Sequence, residues 1–549
     1  MEHIRTFECF ARIEDSEKTS LGHEGKRLFR NFVLRPLETL NKSIKIYLFS
    51  MCGIGVFVNC EPDYETVNSL KRRGPDFYRQ ETFTVAGQTI TFVATVLSHQ
   101  GDGIIAQPIV TEDFIFLWNG EVYDHPNFEP EKNVDTNWFF ENVACRMSGE
   151  KPAGIEIMKE IRGEFAFCTI DRRSGEISFG RDRLGRRSLL LYAYDNQLIL
   201  TSSSSGYHFI ELPADGFYKL NLQRMNKLER IPFEAKTKVE EHLREEFLFS
   251  NANNDMLAFD GIQQGKLHSL PVQTMKSIQC DLWNFDQNHG GQCTGDWLER
   301  LEVVFRKAVE RRVTCRKGSI GVLFSGGLDC SLVVTTVLEI YRDNPKIETT
   351  VYLYSVAFGD NEEKCERCPD RVTACSAYEE IKQNFPCAEI VLVKENISKE
   401  QLRKERAERI KHLISPRVSV LDDSIGSALY FAAHSQVGKD CRLLLSGLGA
   451  DELFCGYSCH RRVHDREGLD ALGREVQTHI ERIAERNCGR DDRVISDSGR
   501  EYRMPFLDLD LIRFSSSIPL LDRCDLTKGR GEGEKLLLRQ LAVKKGLKV

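Results

Sequence analysis

The chain has 549 residues, 41% hydrophobic and 29% charged, with a net charge of −7. That length suits two to four domains with real cores, and the acidic balance argues against nucleic acid or a membrane surface as partner. Eighteen cysteines without a secretory leader point to a reducing, cytoplasmic setting with free thiols, and no apolar stretch is long enough to span a bilayer.

Residues 1–50 carry mixed charge and little pattern, and read as a disordered extension or the product of an upstream start. From Met51 to about Arg230, β-type runs alternate with turn signals, predicting strands at 53–58, 88–96, 114–118, 164–170, 188–192 and 197–202. This describes a domain of layered sheets with a few helices over 51–234. Residues 235–295 are rich in Asn, Gln, Asp and Gly, and read as a linker. Over 296–549, helical periodicity alternates with short apolar strands: helix 298–311, strand 320–324, helix 332–341, strands 349–357 and 388–392, helix 426–434, strand 442–445. That alternation predicts a doubly wound parallel sheet covered by helices.

The most informative segment is 319–331, an apolar run, a Gly326-Gly327 turn and a helical pattern. Such a strand–loop–helix unit wraps phosphate, because the glycines let the backbone approach and the helix-opening amides face the anion. Ser325 and Ser331 add hydroxyls, and Asp329 can hold a metal on the phosphates. No GxxxxGK[ST] occurs, so this is not the common nucleoside-triphosphatase loop. A second loop, Ser446-Gly447-Leu448-Gly449-Ala450-Asp451-Glu452, has the same grammar. Two such loops would bring Asp329 and Asp451 together, and two carboxylates facing polyphosphate need a divalent cation between them. Asp451 alone is as readily a first-turn helix acid. Asn119-Gly120 is open between a hairpin turn and a functional pair. The clusters Lys71-Arg72-Arg73 and Arg461-Arg462 read as solvated faces or local ligand contacts. Cys365, Cys368, Cys375 and Cys387 lack a tetrahedral spacing and read as unligated thiols in a surface insertion.

Several motifs in order resemble the glutamine-dependent asparagine synthetases, from Met51 nearly to Val549. They are Met51-Cys52-Gly53-Ile54, Arg73-Gly74-Pro75-Asp76, Trp118-Asn119-Gly120-Glu121, Val134-Asp135-Thr136, Arg181-Asp182-Arg183-Leu184-Gly185, the two loops, Met504-Pro505-Phe506-Leu507-Asp508 and Glu534-Lys535 with Arg539. Asp491-Asp492-Arg493-Val494-Ile495 and the run 420–426 resemble a divergent eukaryotic branch of that family.

The resemblance implies an N-terminal-nucleophile glutaminase domain followed by an ATP-pyrophosphatase domain. Cys52 would attack glutamine, with its own α-amine as base. Asn119 and the Gly120 amide would form the oxyanion hole. Arg73, Asp76 and Glu121 would shape the glutamine pocket, and Asp135 would pair with the glutamine ammonium. In the second half ATP would activate the aspartate side chain as β-aspartyl-AMP, which ammonia then converts to asparagine. Phe324, Ser325, Gly326, Gly327, Asp329, Ser331, Phe358, Ser446, Gly447, Gly449, Lys535 and Arg539 would hold ATP, with Mg2+ on Asp329 and Asp451. A homodimer and an ammonia conduit between the halves are further implications.

The chain departs from the family at particular positions. Fifty-one residues precede Cys52, so a free α-amine requires initiation at Met51 with its removal, or cleavage. Val96 stands where the family has an arginine for the glutamine carboxylate. Leu448 replaces a glutamate used in the chemistry, and Cys330 a loop serine. Asp422 or Asp423 falls where an arginine lies near the aspartate site, which would repel a dicarboxylate. The chain ends before a late basic segment that touches pyrophosphate. An asparagine synthetase, another AMP-forming amide ligase and a nucleotide-binding protein without chemistry all fit.

Overall fold

The computed structural model describes residues 50–98, 104–129, 133–149, 152–194, 196–204, 209–225, 227–233, 245–248, 296–313, 318–344 and 349–548. The extension read at 1–50, but for Ser50, and most of the linker read at 235–295 lie outside the described residues.

The first half builds two antiparallel sheets. Six strands run in the order Ile210–Glu211, Leu190–Tyr194, Gln197–Thr201, Ser50–Val58, Gln88–Ser98, Phe77–Val85. Seven run in the order Glu245–Leu248, Lys227–Pro232, Gly216–Asn221, Glu176–Arg181, Arg162–Asp171, Phe114–Asp124, Ile109–Val110. The two-residue period of a strand decides what each face meets. Along Phe114–Asp124, Ile115 and Leu117 enter the core between the sheets with Ile54, Val56 and Phe92. Phe116 and Trp118 point the other way, onto Trp138, Phe139, Ile155 and Met158 of helices Asp135–Asn142 and Gly154–Glu160. On the outer side of the six-stranded sheet, Phe57 and Val93 pack on Val67 and Leu70 of helix Tyr64–Arg73. The result is the helix–sheet–sheet–helix layering of an N-terminal-nucleophile amidotransferase domain.

Each strand predicted in this half is present within a few residues. Phe77–Val85 went unread because it is a polar edge strand, alternately exposed and half-buried. Glu245–Leu248 falls in the stretch read as linker, yet pairs with Lys227–Pro232.

The second half is a five-stranded parallel sheet in the order Ile390–Ile397, Val351–Phe358, Ile320–Leu323, Leu443–Leu445, Glu501–Arg503. The first strand in sequence is central, and the chain builds outward on one side before returning to the other. Ligands bind at such a reversal, beyond the carboxyl ends of the strands. Here the reversal falls between Ile320–Leu323 and Leu443–Leu445, each leading into one of the two glycine loops. Cys365 is buried, with its thiol toward the Ala357 carbonyl. The expected surface insertion is therefore a helical crossover partly built into the core.

Charged side chains buried from solvent join the halves. Arg187 lies 2.9 Å from Glu501 and 3.5 Å from both Glu164 and Asp492. Arg312 bridges Glu164 at 3.1 Å and Asp508 at 2.9 Å. Arg503 bridges Glu121 at 2.7 Å and Glu501 at 2.6 Å. The Tyr123 ring lies beneath the guanidiniums of Arg312 and Arg503, at 4.8 and 5.1 Å. Arg73 is 1% exposed and meets Asp492 at 2.7 Å, and Arg72 meets Asp497. This corrects the reading of Lys71-Arg72-Arg73 as a solvated face or local ligand contact for Arg73 and in part for Arg72, while Lys71 stands exposed, as read. Arg461 likewise is taken up by Glu534 and by the carbonyls of Leu526 and Lys528.

Breaking such a network leaves unpaired buried charge. Arg187→Met should therefore lower unfolding stability by about 3–5 kcal/mol, read as a lower urea midpoint. A change within about 0.5 kcal/mol, the size of an ordinary surface substitution, would show that the halves are held otherwise.

Candidate active sites

Cys52 sits in the third position of strand Ser50–Val58 and is 1% exposed. Its thiol accepts a bond from Gln107 Nε2 at 2.8 Å, and Gln107 Oε1 in turn takes the Trp118 N–H at 2.7 Å. The Cys52 N–H donates to Asn119 Oδ1 at 3.3 Å. Asn119 Nδ2 is buried without a hydrogen-bond partner, as an oxyanion donor awaiting its acceptor must be. Asn119 and Gly120 lie mid-strand in Phe114–Asp124, which excludes the hairpin turn. Gly120 is obligatory, since a Cβ there would lie 2.3 Å from the Glu164 carbonyl oxygen. Val96 is the register partner of Cys52 on strand Gln88–Ser98, so an apolar side chain stands opposite Cys52 at the position where the resemblance implies an arginine.

The residues expected around glutamine divide into two groups. Asp135 is buried, with Oδ2 unpartnered, and burial, then Glu121, holds its carboxyl well above the usual range. An incoming ammonium would reverse that shift. The other three are committed elsewhere: Arg73 to Asp492 and the Cys52 carbonyl, Asp76 to the Ser98 N–H and Arg442, Glu121 to Arg503. Gln107 was missed, because a lone glutamine carries no spacing signal.

The second site is a cavity of about 400 Å³ at the sheet's reversal point, reached by Phe324, Ser325, Asp329, Ser446, Gly447 and Asp451. Gly326 has φ +76° and a Cβ there would strike the Thr373 backbone at 2.4 Å, so only glycine fits. A Cβ on Gly447 would meet Asp329 Cβ at 2.6 Å, which shows how closely the two loops approach. Gly449, at φ +107°, closes the second turn ahead of helix Ala450–Leu453. The two acids do meet: Lys535 Nζ lies 2.6 Å from Asp329 and 2.7 Å from Asp451. Burial lifts the Asp329 carboxyl to about 6, with Lys535 opposing and Asp451 assisting. Asp329 Oδ1 and Ser331 Oγ are buried without hydrogen-bond partners. Buried unpaired acceptors beside a second acid are a donor set that suits a hard divalent cation. Arg539 packs its Nε on the Glu534 carbonyl oxygen. Phe358 stands apart at the end of its strand, 38% exposed and edge-on to Phe431.

The far wall of the cavity includes Leu448, Tyr457, Asp491 and Tyr502. Tyr502 hydrogen-bonds Ser446 Oγ at 2.7 Å, and Tyr457 donates to Glu452 at 2.7 Å. Asp422 and Asp423 do not present free charge: Arg490 meets Asp422 at 2.5 Å and Arg406 meets Asp423 at 2.6 Å. The expected repulsion of a dicarboxylate is therefore offset by arginines. Asp491, not read from the sequence as a site residue, is the acid on the wall, and it too is bonded to Arg490.

Two family profiles match the chain: glutamine amidotransferase over residues 95–207 and asparagine synthase over 300–470 and 464–545. Together with the two folds they define a two-domain protein that joins an amidotransferase domain to an asparagine synthase domain. The chain belongs to the asparagine synthetase domain-containing family. Asparagine synthetase domain-containing protein CG17486 of Drosophila melanogaster is 30% identical, over 91% of this chain and 95% of its own. Asparagine synthetase domain-containing protein 1 of Homo sapiens is 30% identical, over 90% and 92%. A putative glutamine-hydrolyzing asparagine synthetase of Methanocaldococcus jannaschii is 22% identical, over 75% and 66%. A solved allosteric regulatory enzyme of purine biosynthesis covers 64% of the chain at 10% identity with a TM-score of 0.26, too low to bear on the fold.

Glu452 gives this site a pH signature. It is 3% exposed, and burial lifts its carboxyl to about 7 against the Tyr457 hydrogen bond. A raised carboxyl stabilises the fold fully below the unfolded value near 4.5, and that contribution is lost as pH rises through 7. Urea unfolding at pH 4.5 and pH 8 should differ by up to about 3 kcal/mol more in the native chain than in Glu452→Gln. Equal differences in the two proteins would refute the assignment.

Proposed function

We propose that the chain is an ATP-dependent, AMP-forming amide ligase of the asparagine synthetase class, supplied with ammonia by glutamine hydrolysis at Cys52. The meeting of Asp329, Asp451 and Lys535 between two glycine loops is the observation that carries this reading. Ser325 to Ser331 would cradle pyrophosphate, with backbone amides in place of a P-loop lysine. Lys535 and Arg539 would offset phosphate charge. Mg2+, held by Asp329 and Asp451, would neutralise the developing charge of the leaving group. Tyr457 and Asp491 bound the acceptor side of the cavity. In the first half, Asn119 Nδ2 would receive the oxyanion.

Leu448 favours a second reading. It faces the cavity where a proton-transferring carboxylate is needed, and leucine transfers none. The chain would then bind nucleotide without aspartate chemistry, or act on another acid. Phosphorus NMR of ATP with Mg2+, aspartate and ammonium chloride separates the two. AMP and pyrophosphate support the ligase, and Lys535→Met should slow their release by about 10²–10³-fold, as for loss of one preorganised electrostatic donor. Intact ATP, bound by line broadening, would leave the second reading.

Glutamine hydrolysis is tested apart, on a chain that begins at Cys52. It should release glutamate, and Asn119→Ala should cut the rate by about 10²–10³-fold. Equal rates in both would remove Asn119 from the oxyanion site.

A further inference from the structure

Behind the cavity wall, helices Ser458–Glu467 and Leu469–Glu481 form a hairpin about Gly468, whose φ of +83° makes the turn. At its base Cys459, His460 and His479 each offer a ligand atom within 4.8 Å of the other two. Cys459 Sγ lies 3.7 Å from His479 Nε2, and Glu475 Oε1 lies 3.1 Å from the same nitrogen. A tetrahedral zinc with bonds of about 2.3 Å to sulfur and about 2.0 Å to nitrogen separates those two atoms by about 3.6 Å. His460 is fully buried, and its Nε2 has no hydrogen-bond partner.

We propose that Cys459, His460 and His479, with water as the fourth ligand, form a zinc site that ties this hairpin to the wall of the cavity. The protein donors are one thiolate and two imidazoles, a set that selects zinc over the magnesium suited to Asp329 and Asp451. Cys459 is half-buried and His479 14% exposed, which leaves the metal a way in.

The proton balance follows from the hydrogen bonds. His460 Nδ1 accepts the Tyr457 N–H at 3.2 Å, so without metal its ring proton sits on Nε2. Zinc at Nε2 moves that proton to Nδ1 and frees the Tyr457 amide, while the Cys459 thiol gives its proton to solvent. One long backbone-to-ring bond is a small loss beside the metal bonds gained. Tyr457 is itself a cavity residue, with its ring 5.4 Å from His460 and 5.1 Å from His479. Zinc occupancy is thereby linked to the position of the wall that Tyr457 shares with Leu448.

The full chain, stripped with chelator and titrated with Co2+, tests this without any assay of activity. A tetrahedral sulfur-to-cobalt charge-transfer band at one equivalent is expected, displaced by one Zn2+. Cys459→Ser should abolish the band, and His479→Gln should weaken zinc retention by more than the about 10–100-fold typical of an outer-shell partner. Cys368→Ser should change neither. A band that survives both Cys459→Ser and His479→Gln, or no band in the native chain, would overturn the site. If Cys459→Ser fails to fold, the native titration and His479→Gln decide alone.

Discussion

The arginine–carboxylate layer between the halves is the constraint on which the rest depends. Arg187, Arg312 and Arg503 are each at most 3% exposed in their side chains and face carboxylates contributed by both halves. An isolated ion buried this way carries a desolvation cost of several kcal/mol, and only close partners offset it. The network therefore tolerates one relative placement of the two sheets. The glutamine-type site and the nucleotide-type site are held in a single frame, although they draw on strands far apart in sequence.

That frame explains the fate of the motif residues. Arg73, Asp76 and Glu121 lie in the segments that resemble a glutamine pocket, yet their charges are taken up by Asp492, Arg442 and Arg503. What Cys52 itself meets is Gln107, Asn119 and, through its carbonyl, Arg73, and the Asn119 amide nitrogen is left unpartnered. At the other site the balance is reversed. The end formed by the two glycine loops is crowded with charge, with Lys535 between Asp329 and Asp451. The remaining wall is mixed, with Leu448 beside two tyrosines and an arginine-bonded Asp491.

Legibility in the sequence followed the range of the physics. The loop around Ser325 could be read directly because positive φ, close backbone approach and helix-opening amides are local demands, met by adjacent residues. The convergence of Asp329 and Asp451 was legible because two such loops on a parallel sheet must end at the same edge. The buried arginines were not. Arg312 and Arg503 look like surface charges in a linear chain, and only the fold shows that each meets a carboxylate from the other half. Phe77–Val85 escaped for the opposite reason, because an edge strand needs no apolar alternation to be stable when its one neighbour supplies the hydrogen bonds. Linear spacing offered no metal site among the cysteines, since Cys365 and Cys368 have no second close pair. The fold instead gathers Cys459, His460 and His479 across a helical hairpin, a grouping that linear spacing cannot show.

The two halves also differ in what each needs from the other. Cys52 is joined to Met51 by an ordinary peptide bond in this sequence, and its nitrogen then serves as a donor to Asn119 rather than as a base. The structural service of the first half does not depend on that nitrogen. Glu164 neutralises Arg312 at the end of helix Trp297–Val313, and Glu121 neutralises Arg503 at the end of the strand beside the Ser446 loop. Without the amidotransferase half, Arg312 and Arg503 would keep Asp508 and Glu501 but lose Glu164 and Glu121, leaving each buried guanidinium only partly neutralised. The first half therefore has a structural role that does not depend on any chemistry at Cys52, because its carboxylates complete the buried ion network of the second half.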